Sequence, residues 1–229
     1  MSKNILITGC SSGLGLALCK FYLEKGFNVY GISRTKPDIT NENFYFKSFD
    51  LSKTKEIKSV LNGFIQNIGN IENVYLNAGM LGEIKSSFDL SIDELNEVYE
   101  LNVYANKELL DILSSIEVAK VVAISSGASH NGSKGWGSYS LSKAGVNMLI
   151  NLYSKEMINT RLYAIAPGVI ETPMTDYIRF KIDDEVYTSA KRLKEGHIQS
   201  AKEAASRLHE ALEQSQDIQS GSFFDVRDI

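Results

Sequence analysis

Cysteine and proline are scarce in this 229-residue chain: Cys10 and Cys19 are its only two cysteines, and it has three prolines. Two cysteines build neither a disulfide framework nor a zinc-ligand set, and their positions suggest reduced packing residues, Cys10 in a glycine-rich turn and Cys19 on the helix that follows. A surplus of positive charge is also missing. The formal net charge of −4 leaves no electrostatic footprint for nucleic acid or an anionic membrane. Small basic clusters, Lys53/Lys55/Lys58 and Lys191/Arg192/Lys194, are interleaved with acids and read as solvated helix faces. Met1-Ser2-Lys3-Asn4 runs straight into Ile5-Leu6-Ile7, too short an apolar stretch for an export signal or a membrane span, so a cytoplasmic location is the default expectation.

What is present is an alternation. Ile5–Ile7, Val29–Ile32, Tyr45–Phe49, Val74–Leu76, Val118–Ile124, Leu162–Ile165 and Phe223–Val226 read as strands. Leu14–Glu24, Thr54–Ile68, Ile92–Ile116, Tyr139–Ile158 and Ala201–Gln214 carry apolar residues near helical spacing. This β-α rhythm predicts an α/β fold: one doubly wound, Rossmann-like domain over residues 1–229, a parallel sheet with helices on both faces. Residues 173–200 break the rhythm, are polar and charged, and read as a partly helical substrate lid.

Thr8-Gly9-Cys10-Ser11-Ser12-Gly13-Leu14-Gly15 follows the first strand and opens the first helix. Glycines allow a sharp turn and close approach to a pyrophosphate, and the helix N-terminus offers free N–H groups to that anion. The spacing is Gly-x-x-x-Gly-x-Gly rather than the Gly-x-Gly-x-x-Gly fingerprint. The second strand ends Ile32-Ser33-Arg34-Thr35 with no acid at its tip. An acid there selects NAD through the ribose hydroxyls, whereas Ser33 and Arg34 can donate to a 2′-phosphate, so NADPH is the expected cofactor.

Tyr139 and Lys143, four residues apart on a helical stretch, share a face. A free tyrosine has a pKa of about 10, and a nearby ammonium together with a cationic nicotinamide is expected to draw it towards about 7, fitting it for general acid–base work. The strand Val121–Ile124 delivers Ser125-Ser126 at its C-terminal end, where parallel sheets place their ligands, and Ser126 can hydrogen-bond a carbonyl oxygen as charge develops. Val74-Tyr75-Leu76 ends in Asn77-Ala78-Gly79, small enough to admit a cofactor.

In order and separation, Thr8–Gly15, Asp50-Leu51, Asn77-Ala78-Gly79, Asn102, Ser126, Tyr139/Lys143 and Pro167-Gly168 through Ile170 to Thr172 resemble the short-chain dehydrogenase/reductase family over nearly the whole chain. The resemblance implies Tyr139 as proton donor, Ser126 orienting the carbonyl, Lys143 binding the nicotinamide ribose, and Asn102 holding a relay water. It implies that Asp50 and Leu51 flank the adenine, that Asn77, Ala78 and Gly79 line the adenosine and ribose region, and that Ile170 and Thr172 hold the carboxamide. It implies no metal, and a homodimer or homotetramer formed through helix pairs that include Tyr139–Ile158.

Asn77–Gly82, Lys134-Gly135-Trp136, Leu193–Ile198 and Ser220–Asp225 are similar to the sepiapterin reductase and benzil reductase branch. That narrower resemblance implies a small-molecule ketone or vicinal diketone as substrate, with Trp136, Met174 and Asp225 at the substrate site. Leu76 departs from the family's usual asparagine, and the segment between Asn102 and Ser126 is short, which alters the expected pocket rim. Reduction of a 3-oxoacyl thioester or a sugar, or nucleotide sensing without catalysis, stay open as alternatives.

Overall fold

Strand after strand alternates which face its apolar residues serve. In a computed structural model describing residues 3–229, with Met1 and Ser2 outside the described residues, seven strands form one sheet. They are β1 (Asn4–Thr8), β2 (Asn28–Ser33), β3 (Phe44–Ser48), β4 (Ile71–Leu76), β5 (Val118–Ile124), β6 (Arg161–Ala166) and β7 (Phe223–Asp225). Their order is β3-β2-β1-β4-β5-β6-β7, and every pairing is parallel. Parallel neighbours need crossover connections, which put helices on both faces.

Leu6, Val74, Leu76, Val121 and Leu162 pack towards one face, with α2 (Thr54–Gln66), α4 (Ala105–Leu113) and α5 (Gly137–Glu156). Ile5, Ile7, Tyr75, Val122, Tyr163 and Ile165 pack towards the other, with α1 (Gly13–Glu24) and α8 (Ala201–Gln214). On α2 the apolar stripe Ile57, Leu61, Ile65 is fully buried, each side chain stabilising by about 1.5–3 kcal/mol. Cys10 and Cys19 are free and buried in the second of these cores, as the sequence suggested.

The long helix expected over Ile92–Ile116 is divided. A capping box closes the front of α3 (Ile92–Tyr99): Ser91 Oγ accepts from Glu94 N at 3.2 Å, and Glu94 Oε2 accepts from Ser91 N at 2.9 Å. A π turn, Glu100–Tyr104, then interrupts the α ladder before α4 and carries Asn102. Such one-residue expansions gather at functional sites, and hydrophobic period alone does not reveal them.

Residues 173–200 contain two helices, α6 (Pro173–Lys181) and α7 (Thr188–Glu195). Thr172 caps α6, its side chain accepting from Thr175 N, and Pro173 takes the first helical position. Ile178 and Ala190 bury themselves against Leu81, with Trp136, Tyr139, Met174 and Tyr187 around them. This segment therefore rests on the C-terminal ends of the central strands. No helix among the described residues is long and apolar enough to cross a membrane.

Candidate active site

The strand order reverses between β1 and β4, and a cleft of about 1280 Å³ opens at their C-terminal ends. That volume exceeds what one drug-sized ligand needs. Gly9, Ser11, Ser12, Gly13 and Leu14 line it. Gly9 has φ +67°, and a Cβ there would stand 2.9 Å from Ala78 Cα. Gly15 lies behind the lining, where a Cβ would stand 2.2 Å from the Gly9 carbonyl oxygen, so only glycine lets α1 start this close to the turn. Thr8 Oγ1 accepts from Asn77 N (2.9 Å) and Ala78 N (3.0 Å), while Asn77 Nδ2 donates to the Thr8 and Gly9 carbonyls. The loops after β1 and β4 are thereby locked together. The first turn of α1 has no acidic residue, and Ser12 makes no side-chain cap, so its N–H groups face the cleft unopposed.

At one end of the cleft stand Ser33, Arg34, Asp50 and Leu51. Ser33 Oγ donates to the Thr35 carbonyl at 2.7 Å and lies 3.3 Å from Cys10 Sγ, so its single proton is already engaged. The exposed Arg34 guanidinium is left as the donor at the tip of β2. Asp50 Oδ1 accepts from Ser52 N and Oγ; the Ser52 hydroxyl, its backbone N–H and then nearby Arg34 and Lys53 hold the carboxyl below its usual pKa.

The centre of the cleft carries Ser126, Tyr139 and Lys143. Burial pushes Tyr139 up to about 12, against the opposing effect of the Ser126 hydroxyl beside it. Burial also brings Lys143 down to about 8. The expected drop of Tyr139 towards 7 is thus not a property of the protein alone. Lys143 faces the tyrosine ring rather than outweighing its desolvation, and the cationic nicotinamide that the expectation invoked is a property of the oxidised cofactor.

Asn102 is fully buried and lies behind the cleft wall. Its amide clasps the Met80 backbone, accepting from Met80 N at 2.8 Å and donating to Met80 O at 2.9 Å, and also donates to Ser142 Oγ at 2.9 Å. Its own carbonyl accepts from Asn106 Nδ2 at 2.7 Å. Gly79 leaves the gap between Asn102 and Lys143: a Cβ there would sit 3.2 Å from Asn102 Oδ1 and 3.5 Å from Lys143 Nζ.

Asn77, Ala78 and Gly79 line the cleft from β4, and Pro167, Gly168, Ile170 and Thr172 line it from the end of β6. Trp136, Met174 and Asp225 line it too. The Trp136 ring meets Tyr139 edge-on at 5.9 Å between centroids, and its Nε1–H donates to Ser189 Oγ on α7 at 2.5 Å. Asp225 is held by Arg227, whose N and Nε donate to Oδ1 (3.0 and 2.8 Å) and whose guanidinium also donates to Oδ2 (2.7 Å). These Arg227 contacts outweigh burial and keep the Asp225 carboxyl below its usual pKa.

A family model described as short chain dehydrogenase matches residues 3–183. The chain belongs to the short-chain dehydrogenase family. This oxidoreductase is 32% identical over 241 residues to a benzil reductase ((S)-benzoin forming) of Bacillus subtilis, covering 98% of each chain. It is 31% identical over 199 residues to a benzil reductase of Saccharomyces cerevisiae, covering 78% of this chain and 76% of that one. Its similarity thus falls in the benzil reductase-like branch. A solved short-chain dehydrogenase/reductase from the same yeast superposes with a TM-score of 0.85 at 24% identity, covering 99% and 97% of the two chains.

Several cleft residues of this dehydrogenase lie outside the set expected at the site. Ser189, Arg192 and Leu193 come from α7, brought in by the way residues 173–200 fold back. Arg227 lies two residues past Asp225, and its pairing depends on the turn that ends β7. His130, four residues past Ser126 and so placed to reach the rim, does line it, its ring 4.4 Å from that of Phe223.

Proposed function

We propose that this short-chain dehydrogenase is an NADPH-dependent carbonyl reductase that converts a ketone, or one carbonyl of a vicinal diketone, to a hydroxyl with Tyr139 as proton donor. The observation that carries this reading is the meeting of Ser126 from β5 with Tyr139 and Lys143 from α5 in one cleft, beside the glycine turn. The cleft suits the cofactor. Gly9 and Gly15 let the turn close tightly against Ala78 and the start of α1, the α1 N-terminus presents unopposed donors, and Arg34 supplies a cation where a 2′-phosphate would lie.

When bound, NADPH supplies the hydride. Gly9, Ser11, Ser12, Gly13 and Leu14 would hold the pyrophosphate, with Gly15 behind them letting α1 start close to the turn; Ser33 and Arg34 would hold the 2′-phosphate end, Ser33 mainly by shaping the strand tip. Asp50 and Leu51 flank the adenine, and Asn77, Ala78 and Gly79 flank the ribose. Pro167, Gly168, Ile170 and Thr172 keep the carboxamide end in place, and Lys143 binds the second ribose. Ser126 donates to the substrate oxygen as negative charge develops there. A tyrosine pushed up to about 12 stays a neutral phenol at physiological pH, which is the form that gives a proton to a nascent alkoxide. Asn102 keeps the Met80 loop against the cleft and holds a relay water on its π-turn carbonyl.

Trp136 and Met174, which line the cleft, suit a flat, partly aromatic substrate, with residues 173–200 as its lid in a single-domain chain; Leu81 is instead buried against Ile178 and Ala190. Three donors from Arg227 occupy Asp225, whose carboxylate has about four acceptor sites. One remains on Oδ2 for a substrate N–H. Along α5, Leu141, Met148 and Leu152 form a stripe that is 51–59% exposed, which supports a homodimer or homotetramer.

NADPH oxidation with benzil, sepiapterin and a 3-oxoacyl thioester tests the reading. Diketone or pterin turnover is the expected result. A thioester that reacts far faster replaces the substrate class, and NADPH binding with no turnover of any carbonyl returns the nucleotide-sensing alternative.

A further inference from the structure

The stripe of α5 that carries Tyr139 and Lys143 has a third polar member one turn on, Asn147. Its amide reaches to both sides of Ser126. Oδ1 accepts from Ser125 Oγ at 2.6 Å, and Nδ2 donates to Ser129 Oγ at 2.9 Å. Ser129 Oγ in turn donates to the Ser126 carbonyl at 2.7 Å, which also accepts from Ser129 N at 3.0 Å. With that hydroxyl proton engaged, His130 Nδ1, 2.8 Å from Ser129 Oγ, is the donor of its pair. On the other side, Ser125 N donates to the Ile165 carbonyl at 2.8 Å.

This frame holds a segment that packing does not. The short turn Gly127–Ser129 buries none of its residues, and a Cβ on Gly127 would meet nothing nearer than 4.0 Å. Apolar contact therefore gives the turn little rigidity, and its conformation depends on hydrogen bonds. Ser126 takes part through its carbonyl and by accepting from Ala128 N at 3.1 Å, which leaves its hydroxyl proton available to the cleft. The site calls for one acceptor towards Ser125 and one donor towards Ser129. A carboxamide on a short stem supplies both, whereas a carboxylate lacks the donor and an isosteric leucine lacks both.

We propose that Asn147 is a positioning residue that acts through Ser126, its amide clamping the Ser125–Ser129 turn so that the Ser126 hydroxyl stays in register with Tyr139. The inference rests on the reading of Ser126 as the group that orients the substrate carbonyl. A misplacement of about 1 Å at such a group costs orders of magnitude in rate, so a clamp gripping the chain on both sides of it, at Ser125 and Ser129, has kinetic weight.

The test is a double-mutant cycle on the full chain with NADPH and the best carbonyl substrate found. Asn147→Leu should lower kcat about tenfold while KM for NADPH stays within about twofold, and Asn147→Asp, which keeps the acceptor for Ser125, should lose less. In a Ser126→Ala background, Asn147→Leu should change kcat by less than about twofold, because the group it positions is gone. Ser129→Ala should reproduce the pattern and takes the place of Asn147→Leu if that variant does not fold. Equal losses in both backgrounds, or an unchanged kcat with a raised KM for NADPH, overturn the proposal. A Ser126→Ala variant with undiminished kcat would instead bring down the reading of Ser126 itself, and the clamp with it.

Discussion

Lys143 Nζ lies 5.6 Å from the centre of the Tyr139 ring and is held there by a 2.7 Å hydrogen bond to the Ile124 carbonyl. Strand β5 thus fixes the ammonium by its last main-chain oxygen and, two residues on, supplies Ser126. Tyr139, the Lys143 ammonium and the Ser126 hydroxyl share one strand–helix junction. Lys143 is 5% exposed, and its burial favours the neutral amine.

Lys143→Met should separate stability from function. A lysine lowered to about 8 when folded binds fewer protons than its unfolded counterpart at 10.5, so the penalty is full below pH 8 and is relieved as pH rises from about 8 towards 10.5. It is of order 3 kcal/mol. Tyr139, raised to about 12, begins to oppose this only above its unfolded value of 10. Urea unfolding of the wild type should therefore show stability rising between pH 8 and 10. Lys143→Met should be the more stable at pH 7, flat over that window, and nearly inactive. A variant less stable than wild type at pH 7 contradicts the assignment.

Tyr139→Phe should keep NADPH affinity, read by fluorescence titration, and lose about 10²–10⁴-fold in kcat. With the wild type, carbonyl reduction should show no tyrosine-controlled fall up to pH 10, whereas alcohol oxidation, which needs the phenolate and carries the cationic oxidised cofactor beside it, should level off at a lower pH than the cofactor-free tyrosine would set.

Arg34→Ala should reduce kcat/KM for NADPH about 10–100-fold, the loss of a charge-assisted phosphate contact of about 1.5–3 kcal/mol, and leave NADH nearly untouched. Steady-state comparison of the two cofactors decides it, and a wild type that prefers NADH overturns the assignment.

Asp225→Asn should distinguish substrates. If the remaining acceptor on Oδ2 receives a pterin N–H, kcat/KM for sepiapterin should fall about tenfold while benzil, which has no N–H, changes little. Equal loss on both would assign Asp225 to holding Arg227 and the end of β7.

The parallel sheet and the glycine turn were legible because each rests on a local signal, whereas the order of the strands came only with the structure. Apolar runs of three to seven residues stood between helical stretches, and Thr8–Gly15 joined one kind to the other. The Tyr139/Lys143 pair was legible by spacing. Less could be read where one residue's role depends on a distant partner. Asn147 looks like an ordinary half-exposed helix residue until β5 brings Ser125 and Ser129 against it. Ser33 reads as a free donor until its proton is found on the Thr35 carbonyl two residues away. Arg227 reads as a tail residue until the turn closes on Asp225. Boundaries shifted by one to three residues, by one in β3 and by three at the start of β4, but no strand was missed among the described residues.

The π turn at Glu100–Tyr104 also has a consequence for phase. An α-helix advances about 100° per residue, so one additional residue rotates everything after it by that angle relative to everything before. Helix α3 packs against α5, whereas α4 packs against α2, and a regular helix from Ile92 onward would point both stripes the same way. Asn102 sits where the two phases meet. Deleting any one residue of the turn would leave the composition of both halves almost intact, yet it would set Leu109 and Leu113 about a quarter-turn away from the core they fill. The chain's length across these five positions is therefore as much a part of the site as the identity of the asparagine within them.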